Sequence, residues 1–140
     1  VSERVATELA QSEPHGAIWA NQWDNLANMR AHYEGTGPEI WRQAGGRIDG
    51  FVSAIGTGGT MAGISRFLKE RKPDVTVALA DPMGAAMYSW VKTGELTSEG
   101  SSITEGIGQG QNTENNRDLK LDFPYQITDE EAIPVTIDRA

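Results

Sequence analysis

The chain has 140 residues, which is enough for one domain with a modest hydrophobic core. Its 20 acidic and 12 basic side chains give a net charge of −8, which argues against binding to nucleic acid or to an anionic membrane. The sequence contains no cysteine, so a disulfide, a thiol nucleophile and a thiolate metal site are all excluded.

The beginning of the chain predicts a helix, a turn and a short strand. Apolar residues recur at helical spacing over residues 2–11, and Pro14 and Gly16 then favour a turn. Residues 17–20, Ala-Ile-Trp-Ala, predict a short strand that ends at the polar run of residues 21–25. Open α/β sheets bind ligands beyond the carboxyl ends of their strands, so this polar run is a candidate site.

Two helices are predicted next. The first covers residues 26–34 and is ended by Gly35. Thr36 then predicts the N-cap of the second, with Glu39 completing a capping box. Gly45 and its neighbouring glycine end this second helix.

The centre of the sequence predicts a strand, a helix and a second strand. Residues 51–55 are a short apolar run bounded by glycines, which is typical of a buried strand. A helix follows and runs to Arg71, and residues 75–80 form a second apolar strand. A βαβ unit of this length predicts that the two strands are parallel.

The remainder predicts shorter elements. Residues 84–93 predict a helix, and the glycine-rich residues 93–111 have no clear period. Residues 123–127 predict a strand, and Thr128 with Glu131 predicts a capping box that opens a last helix. Pro134 is expected to interrupt that helix.

The loop between the central strand and helix is the most informative stretch. It consists of Gly56, Thr57, Gly58, Gly59 and Thr60. Glycines let backbone N–H groups approach a ligand, and a helix start adds unpaired donors and partial positive charge. We therefore expect an anion site, and expect that a β-branched residue at position 58 would fill the anion's space. A glycine turn without a ligand remains the alternative.

The two common phosphate-loop motifs do not match this loop. A dinucleotide fingerprint needs a third glycine where the chain has Met61. A nucleoside-triphosphate loop needs Gly-Lys-Ser/Thr, and the nearest following lysine is Lys69.

Several short motifs occur in a characteristic order. They are Asn21-Gln22-Trp23-Asp24-Asn25 with Ala27-Asn28, Thr36-Gly37-Pro38-Glu39-Ile40-Trp41, Gly56-Thr57-Gly58-Gly59-Thr60 and Glu105-Gly106-Ile107-Gly108. Together they resemble the cysteine synthase (O-acetylserine sulfhydrylase) family of pyridoxal-phosphate enzymes of fold type II, from about residue 19 to about residue 133. The resemblance implies an α/β fold with a mainly parallel sheet flanked by helices, part of the large domain of such an enzyme.

The resemblance also implies a function. The expected reaction is β-replacement, in which O-acetylserine and sulfide give cysteine and acetate with pyridoxal 5′-phosphate as cofactor. Cystathionine β-synthase, a serine or threonine dehydratase, or a non-catalytic fragment that retains only the anion loop are the alternatives. The family further implies a homodimer and a possible complex with serine acetyltransferase. We also expect a cytoplasmic location, with which the lack of cysteine is compatible.

The resemblance assigns roles to residues of this chain. Gly56 to Thr60 would bind the cofactor phosphate, Gly106 would lie beside the cofactor, and Gln22 would bind the substrate carboxylate. Asp81, at the end of a predicted strand, could face the site or cap a helix beginning near Gly84. His15 and His32 are expected to be surface residues, and no metal site is expected.

The family's Schiff-base lysine has no match in this sequence. The four lysines are Lys69, Lys72, Lys92 and Lys120, and none lies in the corresponding motif. We therefore expect an internal fragment that is inactive alone. Residues 1–133 would form part of the large domain, residues 1–15 would lie near the junction with a missing small domain, and residues 134–140 would be a truncated tail.

Overall fold

The computed structural model describes residues 2–137. It contains six α-helices and three β-strands in these residues. In chain order they are α1 Ser2–Ser12, α2 Ala27–Ala31, α3 Gly37–Gln43, β1 Gly50–Ser53, α4 Gly59–Arg71, β2 Thr76–Pro82, α5 Met87–Thr93, β3 Phe123–Ile127 and α6 Asp129–Ile137.

The three strands form one parallel sheet in the order β1-β2-β3. Val52 pairs with Ala78, and Ala78 pairs in turn with Phe123. The central strand β2 contributes Val77 and Leu79, which are both 0% exposed. The predicted α/β fold class and the parallel βαβ unit are therefore confirmed.

The hydrophobic core lies between this sheet and helix α4. Ile64, Phe67 and Leu68 of α4 pack with the inward side chains of β2. The period-3.6 spacing of these helix residues and the period-2 alternation of the strands bring both apolar faces together. This packing fixes the β1-to-α4 loop at one edge of the core.

The polypeptide between α2 and α3 is continuous helix rather than a break. A π-helical turn, His32–Thr36, joins the two helices, so the predicted ending at Gly35 is wrong. The predicted Thr36 cap is also wrong, because Thr36 has helical dihedrals (φ −64, ψ −42) and makes no capping hydrogen bond. Its Oγ1 lies 3.0 Å from His32 Nδ1 instead.

The predicted strand at residues 17–20 is not formed. These residues have no regular secondary structure, and Ile18 is 95% exposed. A strand requires a hydrogen-bonded neighbour, and β1, β2 and β3 pair only with one another within the described residues. Helix α1 is formed as predicted, with no buried residue on its apolar face.

The last helix begins as predicted but does not end as predicted. Thr128 N–H donates to Glu131 Oε2 (3.0 Å), and Glu131 N–H donates to Thr128 Oγ1 (3.3 Å), which is the expected capping box. Helix α6 continues through Pro134 to Ile137, so the predicted interruption is wrong. Proline removes one N–H donor there without ending this short, exposed helix.

The predicted division of the chain at residue 133 and the location of residues 1–15 near another domain stay predictions. Val1 and residues 138–140 lie outside the described residues. Each helix within residues 2–137 is too short or too polar to span a lipid bilayer.

Candidate functional site

The glycine loop presents a set of unused backbone donors. Gly58 has φ +93, a left-handed conformation that favours glycine, and helix α4 begins directly after it. The first hydrogen bond at this helix start runs from Ala62 N–H to Gly58 O (2.9 Å). Within the described residues, the N–H groups of residues 56–60 donate no hydrogen bond. These amides are thus available to an anion at the positive end of the α4 dipole.

Two threonine hydroxyls lie among these donors, and each has a protein partner. Thr57 Oγ1 accepts a hydrogen bond from Asn28 Nδ2 (2.8 Å). Thr60 Oγ1 lies 3.1 Å from His32 Nε2, and His32 Nδ1 contacts Thr36 Oγ1. His32 is half-buried and lies between these two hydroxyls.

The glycines of the loop face asparagine side chains rather than open space. A Cβ atom at Gly58 would overlap the Asn116 carboxamide, and one at Gly59 would overlap the Asn28 carboxamide. The expectation that a Gly58 side chain would fill the anion's space is therefore wrong. The side chain would instead meet Asn116, which is 0% exposed.

The second glycine stretch lies beside the loop. Gly108 N–H donates to Ile55 O (2.8 Å), and a Cβ at Gly56 would come within 2.9 Å of Gly106 O. Gly106 is exposed and has φ +80. The structure therefore brings Gly106 to the predicted anion site, although 50 residues of chain separate it from Gly56.

A cavity of about 300 Å³ adjoins this glycine stretch. It opens at the carboxyl end of β2, the edge at which α/β sheets bind ligands. Its lining includes Pro82, Gly84, Ser102, Thr104 and Gly108.

Gln22 lies next to the loop through its backbone. Its carbonyl accepts hydrogen bonds from Asn28 Nδ2 (2.8 Å) and Asn115 Nδ2 (3.2 Å). The Gln22 side chain is exposed and makes no hydrogen bond to the described residues. Its carboxamide is thus free to bind a ligand, although the strand that was expected to position it is absent from the described residues.

Asp81 is a buried helix cap and does not belong to the site. It is 0% exposed, and its Oδ2 accepts a hydrogen bond from Tyr88 N–H (2.8 Å) at the start of α5. Burial raises the pKa of the Asp81 carboxyl, while the N–H groups of Tyr88 and Met87 act in the opposite direction. Of its two predicted roles, helix capping is confirmed, with Tyr88 rather than Gly84 as the partner.

Three of the four lysines make hydrogen bonds to side chains outside the glycine loop. Lys69 Nζ donates to Asp122 Oδ2 (2.7 Å), Lys72 Nζ contacts Asp49, and Lys92 Nζ donates to the Tyr88 hydroxyl. Lys120 is exposed. Within the described residues, no lysine side chain hydrogen-bonds to the glycine loop.

Sequence reasoning missed the residues that support the loop. Thr113 Oγ1 donates to Thr57 O (2.8 Å), and Asn115 Nδ2 donates to Trp23 O (2.7 Å). Thr113 and Asn115 are each 4% exposed. The polar run that follows the glycine-rich stretch is the sequence signal that could have drawn attention to them, and Asn28 stood within a motif already singled out.

The chain is similar in sequence and in fold to known proteins. The sequence matches the family described as "Pyridoxal-phosphate dependent enzyme" over residues 1–136. Cysteine synthase 1 of Neurospora crassa is 52% identical over 122 residues, covering 84% of this chain and 32% of that protein. Cysteine synthase 2 of Schizosaccharomyces pombe is 42% identical over 139 residues, covering 90% of this chain and 35% of that protein.

The chain thus spans about a third of the length of these two relatives. A crystal structure described as an O-acetylserine dependent cystathionine beta-synthase from Helicobacter pylori is 32% identical, with a TM-score of 0.80. The similarity covers 96% of this chain and 41% of that one. Because the family match extends over nearly the whole sequence, the chain belongs to the pyridoxal-phosphate dependent enzyme family.

Proposed function

We propose that this chain supplies the phosphate site of a pyridoxal-phosphate enzyme that converts O-acetylserine and sulfide to cysteine and acetate. The observation that carries the proposal is the set of unused N–H donors at residues 56–60, at the start of helix α4. Relatives 52% and 42% identical to the chain are named cysteine synthases, which supports the choice of reaction.

The residues of the loop fit a phosphate group. The N–H groups of residues 56–60 and the hydroxyls of Thr57 and Thr60 are all hydrogen-bond donors, and phosphate oxygens are strong acceptors. A hydrogen bond to a charged partner contributes about 1.5–3 kcal/mol, so several would hold a dianion without a lysine or arginine. When bound, pyridoxal phosphate supplies the electron sink for chemistry at the substrate's β carbon.

The substrate would lie near the turn of residues 22–24, called the Gln22 turn below. Gln22 has a fixed backbone carbonyl and an exposed carboxamide, whose N–H₂ group can donate to a substrate carboxylate. Gly106, beside Gly56, would leave room for the cofactor ring because it has no side chain. In this arrangement the chain orients both ligands.

Other assignments are supported less directly. The solved structure described as an O-acetylserine dependent cystathionine beta-synthase favours that activity as the second candidate. We also propose a homodimer, a complex with serine acetyltransferase and a cytoplasmic location, all from the resemblance to cysteine synthases. A serine or threonine dehydratase, or a non-catalytic protein that retains the anion loop, would share the phosphate site.

Binding measurements test the proposal on the chain itself. Equilibrium dialysis should give an affinity for pyridoxal 5′-phosphate at least roughly 100-fold higher than for pyridoxal, since the phosphate adds two or more charged hydrogen bonds. Inorganic phosphate should compete. Thr60→Val should weaken phosphate competition, whereas Thr76→Val, at an exposed strand position, should not. Equal affinities for pyridoxal and its phosphate would contradict the proposal.

A further inference from the structure

One side-chain amide joins the glycine loop to the Gln22 turn. Asn28 Nδ2 lies 2.8 Å from Thr57 Oγ1 and 2.8 Å from Gln22 O. Asn28 is half-buried, and its Oδ1 lies against Gly59, where an added Cβ would overlap it. The lack of a side chain at Gly59 is thus what allows Asn28 to reach both partners.

The chemistry of these contacts fixes the direction of each hydrogen bond. Gln22 O is a carbonyl and can only accept, so the nitrogen rather than the oxygen of Asn28 must face it. The same N–H₂ group has a second hydrogen, which is donated to Thr57 Oγ1. Because Thr57 accepts from Asn28, its own hydroxyl hydrogen is left for another acceptor.

The turn is also held from its other side. Asn115 Nδ2 donates to Trp23 O (2.7 Å) and to Gln22 O (3.2 Å), and Asn115 Oδ1 accepts from Met29 N–H (3.2 Å). Since this asparagine is 4% exposed, the turn has little freedom to move away from Asn28. Asn28 therefore links Thr57 to a turn whose backbone is held from both sides.

We propose that Asn28 is a positioning residue that couples the phosphate loop to the Gln22 turn. It directs the Thr57 hydroxyl hydrogen toward a bound phosphate and holds the backbone of the residue proposed to bind the substrate carboxylate. This inference rests on the proposed function, because it assigns a partner to the Thr57 hydroxyl.

The test compares Asn28→Leu with Asn112→Leu. Leucine keeps the branched shape of asparagine but has no hydrogen-bond donor or acceptor, and Asn112 is an exposed control. The ¹⁵N amide shifts of Thr57 and Gly58 would be followed during titration with inorganic phosphate, together with those of Trp23 and Asp24. In the unaltered chain we expect the loop and the turn to respond with one dissociation constant.

In Asn28→Leu, loop affinity for phosphate should fall roughly ten-fold, the effect of about one lost hydrogen bond. The response of the turn should disappear, whereas Asn112→Leu should keep both. An Asn28→Leu chain with unchanged affinity and an intact turn response would overturn the inference and leave the proposed function standing. If phosphate caused no change in the loop amide shifts of the unaltered chain, the proposed function itself would fail.

A second measurement needs no substitution and applies if Asn28→Leu does not fold. The side-chain N–H₂ protons of Asn28 should exchange with solvent more slowly than those of Asn112, and phosphate should slow them further. Exchange as fast as that of Asn112, with or without phosphate, would overturn the inference.

Discussion

Gly58→Ala should destabilise the folded chain for two separate reasons. The backbone there has φ +93, and a residue with a Cβ in the left-handed region costs about 1–2 kcal/mol. The new Cβ would also overlap the carboxamide of Asn116, which is fully buried and cannot move into solvent. Overpacking of this kind costs about 1–3 kcal/mol. We therefore expect Gly58→Ala to lower the free energy of unfolding by about 2–5 kcal/mol.

Alanine variants at two other glycines measure the backbone cost and the packing cost separately, as changes in the free energy of unfolding in urea. Gly94 has φ +82 with no atom within 4 Å of an added Cβ, so Gly94→Ala should show only the backbone cost. Gly63 lies in helix α4, where an added Cβ would overlap the backbone oxygen of Met29. Gly63→Ala should therefore show the packing cost without a left-handed backbone cost, offset by the gain of about 1 kcal/mol in helix propensity.

Removal of the Asn116 side chain provides the internal control. In an Asn116→Ala background, Gly58→Ala should cost only about 1–2 kcal/mol, because the obstructing carboxamide is gone. If Gly58→Ala were no more costly than Gly94→Ala, or if its cost were the same in both backgrounds, the packing of Asn116 against the loop would be refuted.

Further predictions concern one buried and one exposed aspartate, loop support and the lysines. Because the pKa of Asp81 is raised in the folded chain, the free energy of unfolding falls as pH rises from about 4 through that pKa. Asp81→Asn should remove this fall, so that the urea midpoint no longer changes with pH in that range. The hydrogen bond from Lys69 lowers the pKa of Asp122, so the folded chain loses stability as pH falls below about 4. In Asp122→Asn, this acid-induced loss should be absent. An unchanged pH dependence of the urea midpoint in either variant would contradict these assignments. Thr113→Val should cost about 1 kcal/mol through loss of the bond to Thr57 O, and an unchanged urea midpoint would argue against it. Borohydride reduction with pyridoxal phosphate should label no single lysine, and a stoichiometric adduct on one lysine in peptide mass spectra would refute this.

The part of the fold that could be predicted from sequence is local. The apolar run at residues 51–55, the glycines after it and the helical spacing of Ile64, Phe67 and Leu68 specify a strand, a loop and a helix without knowledge of distant contacts. The capping box of Thr128 and Glu131 was predictable for the same reason, since its two partners are three residues apart.

The errors and omissions depend on contacts between distant residues. Residues 17–20 have the composition of a strand, but strand formation depends on a neighbour that composition does not reveal. Asn28 contacts Thr57 across 29 residues, and Asn115 contacts Trp23 across 92. The glycine pattern therefore predicts an anion site at the loop, while the asparagines that support the loop became apparent only from the fold.

The central claim is that main-chain amides of the glycine loop bind a phosphate group. It is tested most directly by ¹H–¹⁵N spectra of the unaltered chain during titration with pyridoxal 5′-phosphate and, separately, with pyridoxal. The account predicts large downfield amide shifts for residues 56–60 with the phosphorylated ligand and small ones with pyridoxal. Unchanged amides at these residues, or the same shifts with both ligands, would contradict it.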